Sequence, residues 1–207
     1  MSKVGKKPIN ILEGVTIQKI EENKYEIKGP KGTMLFELPE NFNLEIEDKI
    51  LKIFPKEINK RTKPLWGTLK RILENKILGV SQGFEKILIL EGLGYSAEVK
   101  DRKIFCKVGF SHPVEIEIPE GIDVEVKQEK GKAFIYIRGI DKEKVGNFAS
   151  QIKKIKPADR YHLKGFRYID EIIKTKPVKK AVKWSTRINA DEDTQINADN
   201  IREYPRE

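Results

Sequence analysis

The chain has one cysteine, Cys106, among 207 residues. A single thiol excludes an internal disulfide framework and fits a reducing compartment. Histidine is nearly as scarce, with only His112 and His162. With so few soft ligands, no zinc site or other metal site is expected. No apolar run reaches the roughly 18 residues of a membrane span. The start, Met1–Pro8, lacks the apolar core of a signal peptide. Aromatic residues make up only 8% of the chain, and acids are outnumbered, with 32 Asp/Glu against 41 Lys/Arg. Hydrophobic residues reach 38% and charged ones 35%. That is polar for a globular protein, yet Ile, Leu, Val and Phe suffice for a core, which excludes wholesale disorder. The length suits one large domain or two small ones.

The net charge of +9 is unevenly spread. Residues 1–7 carry Lys3, Lys6 and Lys7 and no acid. Residues 8–150 are almost neutral, with 24 basic and 23 acidic side chains. Residues 151–183 hold 11 basic and 3 acidic side chains, and residues 184–207 hold 3 basic and 6 acidic. A neutral body with basic extremities points to a polyanionic partner bound through those extremities.

The body reads as strands with two helices. Tyr25–Lys28 and Thr33–Leu38 flank a Gly29-Pro30-Lys31-Gly32 turn, and Asn43–Ile46 and Ile50–Phe54 follow. Apolar residues from Leu65 to Ile77 recur at helical spacing, so residues 64–78 read as a helix with Gly79 as its stop. A second round of strands covers Phe84–Leu90, Tyr95–Val99, Ile104–Val108, Val114–Ile118, Val124–Val126 and Ala133–Ile137. Asp141 then caps a helix whose apolar face is Val145, Phe148, Ala149, Ile152 and Ile155.

The two rounds repeat one pattern. Phe36–Ile46 lies over Ile116–Val126 at an offset of 80, with Pro39 on Pro119 and Glu40 on Glu120. Trp66–Leu69 lies over Val145–Phe148 at an offset of 79. The expected fold class is α+β: two tandem duplicated domains, each an antiparallel β-sheet packed against one α-helix. The boundaries expected are an arm 1–8, repeats 9–82 and 83–157, a basic segment 158–180 and an extension 181–207.

Several motifs invite a catalytic reading and lack its context. Gly92-Leu93-Gly94-Tyr95-Ser96-Ala97 fits a dinucleotide string, but a pyrophosphate site needs a helix to begin there, and strand-like residues follow. Ser111 and His112 are sequence neighbours with no orienting acid beside them. Cys106 sits in an alternating strand as a buried thiol would. Of the acids Glu115, Glu117, Glu120, Asp123 and Glu125, alternation puts several on the solvent face of strands, so they read as a solvated face rather than a metal cluster. Trp66 occupies an apolar helix position.

The basic segment is where chemistry concentrates. Lysines and arginines from Lys153 to Lys176 interleave with Tyr161, Phe166 and Tyr168. Cations neutralise phosphates and release counterions, and aromatic rings stack on bases or pack the segment onto the body. Gly165 allows close backbone approach to a phosphate. The composition fits RNA, DNA or an acidic protein.

The chain resembles the bacterial-type sixth protein of the large (50S) ribosomal subunit. The likeness rests on Ser2–Ile9, Lys28–Gly32, Gly79–Phe84, Gly92–Ala97, Gly109–Val114, Arg138–Lys142 and Val145-Gly146, in order across residues 1–176. It implies a duplicated α+β fold with no catalytic activity and no cofactor. It further implies a monomer bound to large-subunit (23S-type) rRNA near the stalk base and the sarcin–ricin loop. Neighbouring ribosomal proteins and docking translation GTPases would lie close by. The compartment implied is the bacterial cytoplasm or an organelle interior, with no membrane partner. The family's late signature is Tyr-Lys-Gly-Lys-Gly, an aliphatic residue, Arg and Tyr. Tyr161, Lys164, Gly165, Arg167 and Tyr168 match it, while His162 and Leu163 depart from it. The chain also continues with Trp184 and an Asp/Asn-rich stretch where family members end.

The residues expected to contact rRNA are Lys3, Lys6, Lys7, Lys153, Lys154, Lys156, Lys164, Gly165, Arg167, Lys174 and Lys176, with Tyr161 and Tyr168 stacking or locking the segment. Two other readings compete: a nucleotide-dependent enzyme using Gly92–Ala97, and a basic adaptor for acidic proteins.

Overall fold

The computed structural model describes residues 4–47, 49–129 and 131–177. Alternating side chains build thirteen strands and two helices among them. In the first repeat, β1 (Ile9–Asn10) precedes β2 (Thr16–Glu21), β3 (Lys24–Gly29) and β4 (Gly32–Glu37). Then come β5 (Phe42–Glu47), β6 (Ile50–Pro55) and α1 (Thr62–Ser81). In the second, β7 (Phe84–Glu91) leads to β8 (Ser96–Lys100), β9 (Lys103–Lys107) and β10 (Val114–Glu117). β11 (Ile122–Glu129), β12 (Lys132–Gly139), α2 (Lys142–Ile155) and β13 (Gly165–Tyr168) complete it.

The duplication holds in which strands pair with which. β2-β3-β4 and β8-β9-β10 are matching three-stranded antiparallel sheets. Leu44 faces Ile53 across β5 and β6, and Val124, 80 residues on, faces Ile137 across β11 and β12, because the second hairpin is longer. β1 pairs with β6 as β7 pairs with β12. The helices follow the offset of 79: buried Trp66, Leu69, Lys70 and Leu73 answer buried Val145, Phe148, Ala149 and Ile152. Each helix covers its own sheets, giving one apolar cluster per repeat. Asp141 caps α2 as expected, its carboxylate accepting from the Glu143 amide at 2.9 Å.

Three features differ from the sequence reading. β1 and β2 were not expected. β13 is also new, and among the described residues it has no counterpart in the first repeat's sheet. It pairs antiparallel with β7, so the second sheet runs β11-β12-β7-β13 against β1-β6-β5 in the first. Finally, Gly79 does not stop α1, which continues to Ser81. A Cβ at Gly79 would collide with the Ile140 carbonyl oxygen. The glycine is therefore a point of close approach between repeats. Ile140 itself packs against the first repeat's cluster, and Lys142 donates to Asn75 Oδ1 at 3.2 Å. Alanine would improve helix propensity by about 1 kcal/mol, but there is no room for it. Gly79→Ala is thus expected to lower stability by about 1–3 kcal/mol, read from the urea midpoint. An unchanged or raised midpoint would contradict the close approach. Among the described residues, no helix is long and apolar enough to cross a membrane.

Candidate nucleic-acid interface

The basic segment is fastened by its apolar and backbone groups. Phe166 is fully buried in the second repeat's core, facing Leu90 on β7. Its amide donates to the Lys156 carbonyl at 2.8 Å, and the Ala158 amide donates back to the Phe166 carbonyl at 3.1 Å. Gly165 is buried at φ +130°, where a Cβ would lie 2.5 Å from the Lys156 carbonyl oxygen and 2.8 Å from that of Pro157. The close approach this glycine permits is to the chain's own backbone.

Two of the expected cations face carboxylates. Lys153, in the last turn of α2, bonds both Glu171 oxygens at 2.7 and 2.8 Å and lies 4.7 Å from the Tyr168 ring centre. Arg167 reaches Glu91 at 3.3 Å, and its Nε is buried without a hydrogen-bond partner. Lys86 covers the same Tyr168 ring at 5.7 Å. Tyr168 is therefore half-buried between cations, whereas Tyr161 is 50% exposed.

The other cations are presented to solvent. Lys154, Lys164, Lys174 and Lys176 are exposed, and Lys156 lies half-buried over the Phe110 ring at 5.4 Å. The Lys176 amide donates to the Arg160 carbonyl at 3.0 Å, which folds residues 170–176 back over the 158–164 turn. Exposed Arg160 sits among them and was missed, because the family signature begins one residue later, at Tyr161. An open cleft of about 730 Å³ runs from Lys164 and His162 to the Gly92–Tyr95 turn and Lys132. Leu93, 95% exposed, stands at its rim. Lys6 and Lys7 are exposed at the other extremity, and Lys3 lies outside the described residues, as does the 181–207 extension.

The turn between Asp159 and Lys164 explains how the departures from the family signature are accommodated. Leu163 adopts φ +59°, the left-handed conformation that the family's glycine at this position takes freely. For a leucine this costs about 1–2 kcal/mol. The Leu163 amide donates to the Asp159 carbonyl, and the Asp159 amide to that of Lys164. His162 Nδ1 lies 3.2 Å from the Asp159 carboxylate, which also accepts from the His162 amide.

The carboxylates that hold the segment give it an acid-sensitive edge. The hydrogen bond from Lys153 holds Glu171 below the usual carboxylate range, and bonds from Lys132 and then Arg167 do the same for Glu91. A folded-state pKa below the unfolded value of about 4.3 makes this tie complete above that value. The tie is lost as pH falls through the folded value. β13 amides are expected to lose hydrogen-exchange protection on acidification before those of β11 and β12. Loss in one step across the whole sheet would contradict it.

The catalytic motifs do not assemble. Gly92–Tyr95 forms a turn closed by the Tyr95 amide on the Gly92 carbonyl, and β8 follows it, so no helix offers an N-terminus to a pyrophosphate. Ser111 and His112 are exposed, and no hydrogen bond joins them among the described residues. Cys106 is fully buried, and burial pushes its thiol up to about 11, so it carries no thiolate near neutrality.

Comparison with known proteins agrees with this geometry. The family described as "Ribosomal protein L6" matches twice, over residues 11–83 and 91–169, one match per repeat. The chain is 40% identical over 176 residues to the large ribosomal subunit protein uL6 of Caldicellulosiruptor saccharolyticus, covering 85% of this chain and 94% of that one. The uL6 of Clostridioides difficile and the uL6c of Guillardia theta are each 40% identical over 176 residues and covered to 96%. With both repeats matched and most of each relative's length covered, the chain belongs to the L6 family of large-subunit ribosomal proteins.

Proposed function

We propose that the protein is a non-catalytic structural constituent of the large ribosomal subunit that binds its rRNA through the second repeat's basic segment. The observation that carries this is the division of labour among cations. Lys153 and Arg167 bond carboxylates that fasten the segment, while Lys154, Lys164, Lys174 and Lys176 remain exposed. Cations held out on a rigid frame are what a phosphate backbone requires. In this reading Tyr168 locks the segment and Tyr161 is free to stack on a base. Lys3, Lys6 and Lys7 form an outlying contact. The division that goes with it is an arm 1–8, repeats 9–82 and 83–157, the binding segment 158–180 and the extension 181–207. The finer location, near the stalk base and the sarcin–ricin loop where translation GTPases dock, follows the family. So does residence in a bacterial or organellar ribosome.

A sedimentation gradient of cell extract tests the assignment. The protein should travel with the large subunit at low salt and be released as salt rises. Salt-insensitive retention, or migration apart from the subunit, would count against it. An adaptor for acidic proteins would migrate apart.

A further inference from the structure

In the first repeat, several cations answer a nearby carboxylate. Lys24 bonds Glu21, Lys28 bonds Glu26, Lys52 bonds Glu47, and Lys70 and Arg71 share Glu74. At the start of α1 this changes. Lys56, Lys60, Arg61 and Lys63 are all exposed, and none has an ion-pair partner among the described residues. Glu57 is the one acid between residues 56 and 66, and Asn59 Nδ2 bonds it at 3.2 Å.

This loop is held in shape. Thr62 is buried, its hydroxyl donating to the Glu57 carbonyl at 2.8 Å and accepting from the Asn59 amide at 2.8 Å. The cations therefore project from a fixed frame.

The arm joins the same surface. Gly5 is buried against the Trp66 indole, where a Cβ would lie 2.6 Å from Cδ2 and 2.7 Å from Cγ. The indole is anchored in turn, its Nε1 donating to the Ile53 carbonyl at 2.6 Å. Lys63 lies three residues before Trp66 and so on the same helix face, about 5–6 Å between Cβ atoms. Lys6 and Lys7 follow Gly5 directly. Two segments far apart in sequence thus bring six cations and one acid to one end of the first repeat.

That end is remote from the second repeat. α1 meets Ile140 at Gly79, and the 18 residues from Arg61 to Gly79 span about 27 Å at 1.5 Å per residue.

We infer that this surface (Lys6, Lys7, Lys60, Arg61 and Lys63) is a second RNA-binding site, taking phosphates of an rRNA segment distinct from the one at the second repeat. The inference rests on the reading under Proposed function and extends the outlying arm contact there into a site shared with the start of α1. Once either end is bound, the other is held at high local concentration, so two modest contacts give one firm attachment.

The test is a salt series of fluorescence anisotropy with the full chain and large-subunit rRNA. The variant is Lys60→Gln/Arg61→Gln/Lys63→Gln, with circular dichroism confirming its fold. Affinity at 0.1 M salt should fall about 10- to 100-fold and the salt slope by about 2. Acetylation footprinting of the wild-type complex should show Lys60 and Lys63 protected. Unchanged affinity and slope, while Lys164→Gln/Lys174→Gln/Lys176→Gln weakens binding, would overturn this inference and leave the earlier reading standing. If neither variant weakens binding, both fall. Loss of poly-glutamate binding with RNA affinity intact would make the surface a site for acidic proteins and likewise overturn it.

Discussion

Replacing Phe166 with alanine should lower the unfolding free energy by about 3–5 kcal/mol. No other aromatic ring of the late segment is fully buried. Phe166 fills the second repeat's core together with Leu88, Leu90, Ile152 and other side chains, and emptying that volume leaves a cavity. Domain stabilities are about 5–15 kcal/mol, so the loss is a large share of the whole. Because β13 holds the binding segment against β7, rRNA affinity should fall with it, although Phe166 itself touches no phosphate. Urea denaturation checks the first effect and anisotropy with rRNA the second. Phe166→Leu, which keeps most of the volume, should restore much of both. A loss under about 1 kcal/mol would mean that the ring does not anchor the strand.

The triple variant Lys164→Gln/Lys174→Gln/Lys176→Gln should bind rRNA about 10²- to 10³-fold more weakly at 0.1 M salt, with the salt slope reduced by about 2–3. Each lysine that meets a phosphate releases counterions, so each contributes about 0.7–0.9 to the slope. These three are exposed and tied to no carboxylate among the described residues, so the fold should be unaffected. Lys153→Gln and Arg167→Gln provide the contrast. Each breaks a bond to Glu171 or Glu91, so each should loosen β13 while changing the slope little. A reversed pattern, with the slope carried by Lys153 and Arg167, would refute the division of labour proposed for the segment.

Much of this architecture was readable because duplication supplies its own control. One alternating stretch, such as Phe36–Ile46, is weak evidence for a strand; its echo at Ile116–Val126 with prolines in step is strong evidence for a repeat. The structure carries the echo into the pairing of β5 with β6 and of β11 with β12. What stayed hidden depended on distant contacts. Gly79 reads as a helix stop because glycine usually is one, and only Ile140, 61 residues away, reveals its purpose. β13 is four residues long, Gly-Phe-Arg-Tyr, too short for a period to emerge, and its partner β7 lies some 75 residues earlier. At the interface, residue type identified the cations, but not which were already engaged. Lys153 and Lys154 are neighbours of identical chemistry, yet only Lys153 meets Glu171. Sequence cannot separate the two, because the difference is a matter of direction along the last turn of α2.

The place of β13 at the end of its sheet also bears on how the chain matures. β7 carries Ile87-Leu88-Ile89-Leu90, an apolar run of high strand propensity. On one side it pairs with β12, and on the other, among the described residues, only with β13. During synthesis β7 emerges from the ribosome about 75 residues before the strand that covers it. Until Gly165–Tyr168 arrives, that edge presents unpaired amides and carbonyls beside greasy side chains, a template for another nascent chain. The strand that fastens the binding segment therefore also closes the sheet against self-association. Chains truncated before Gly165 would be sticky as well as lacking the contact proposed for the late segment.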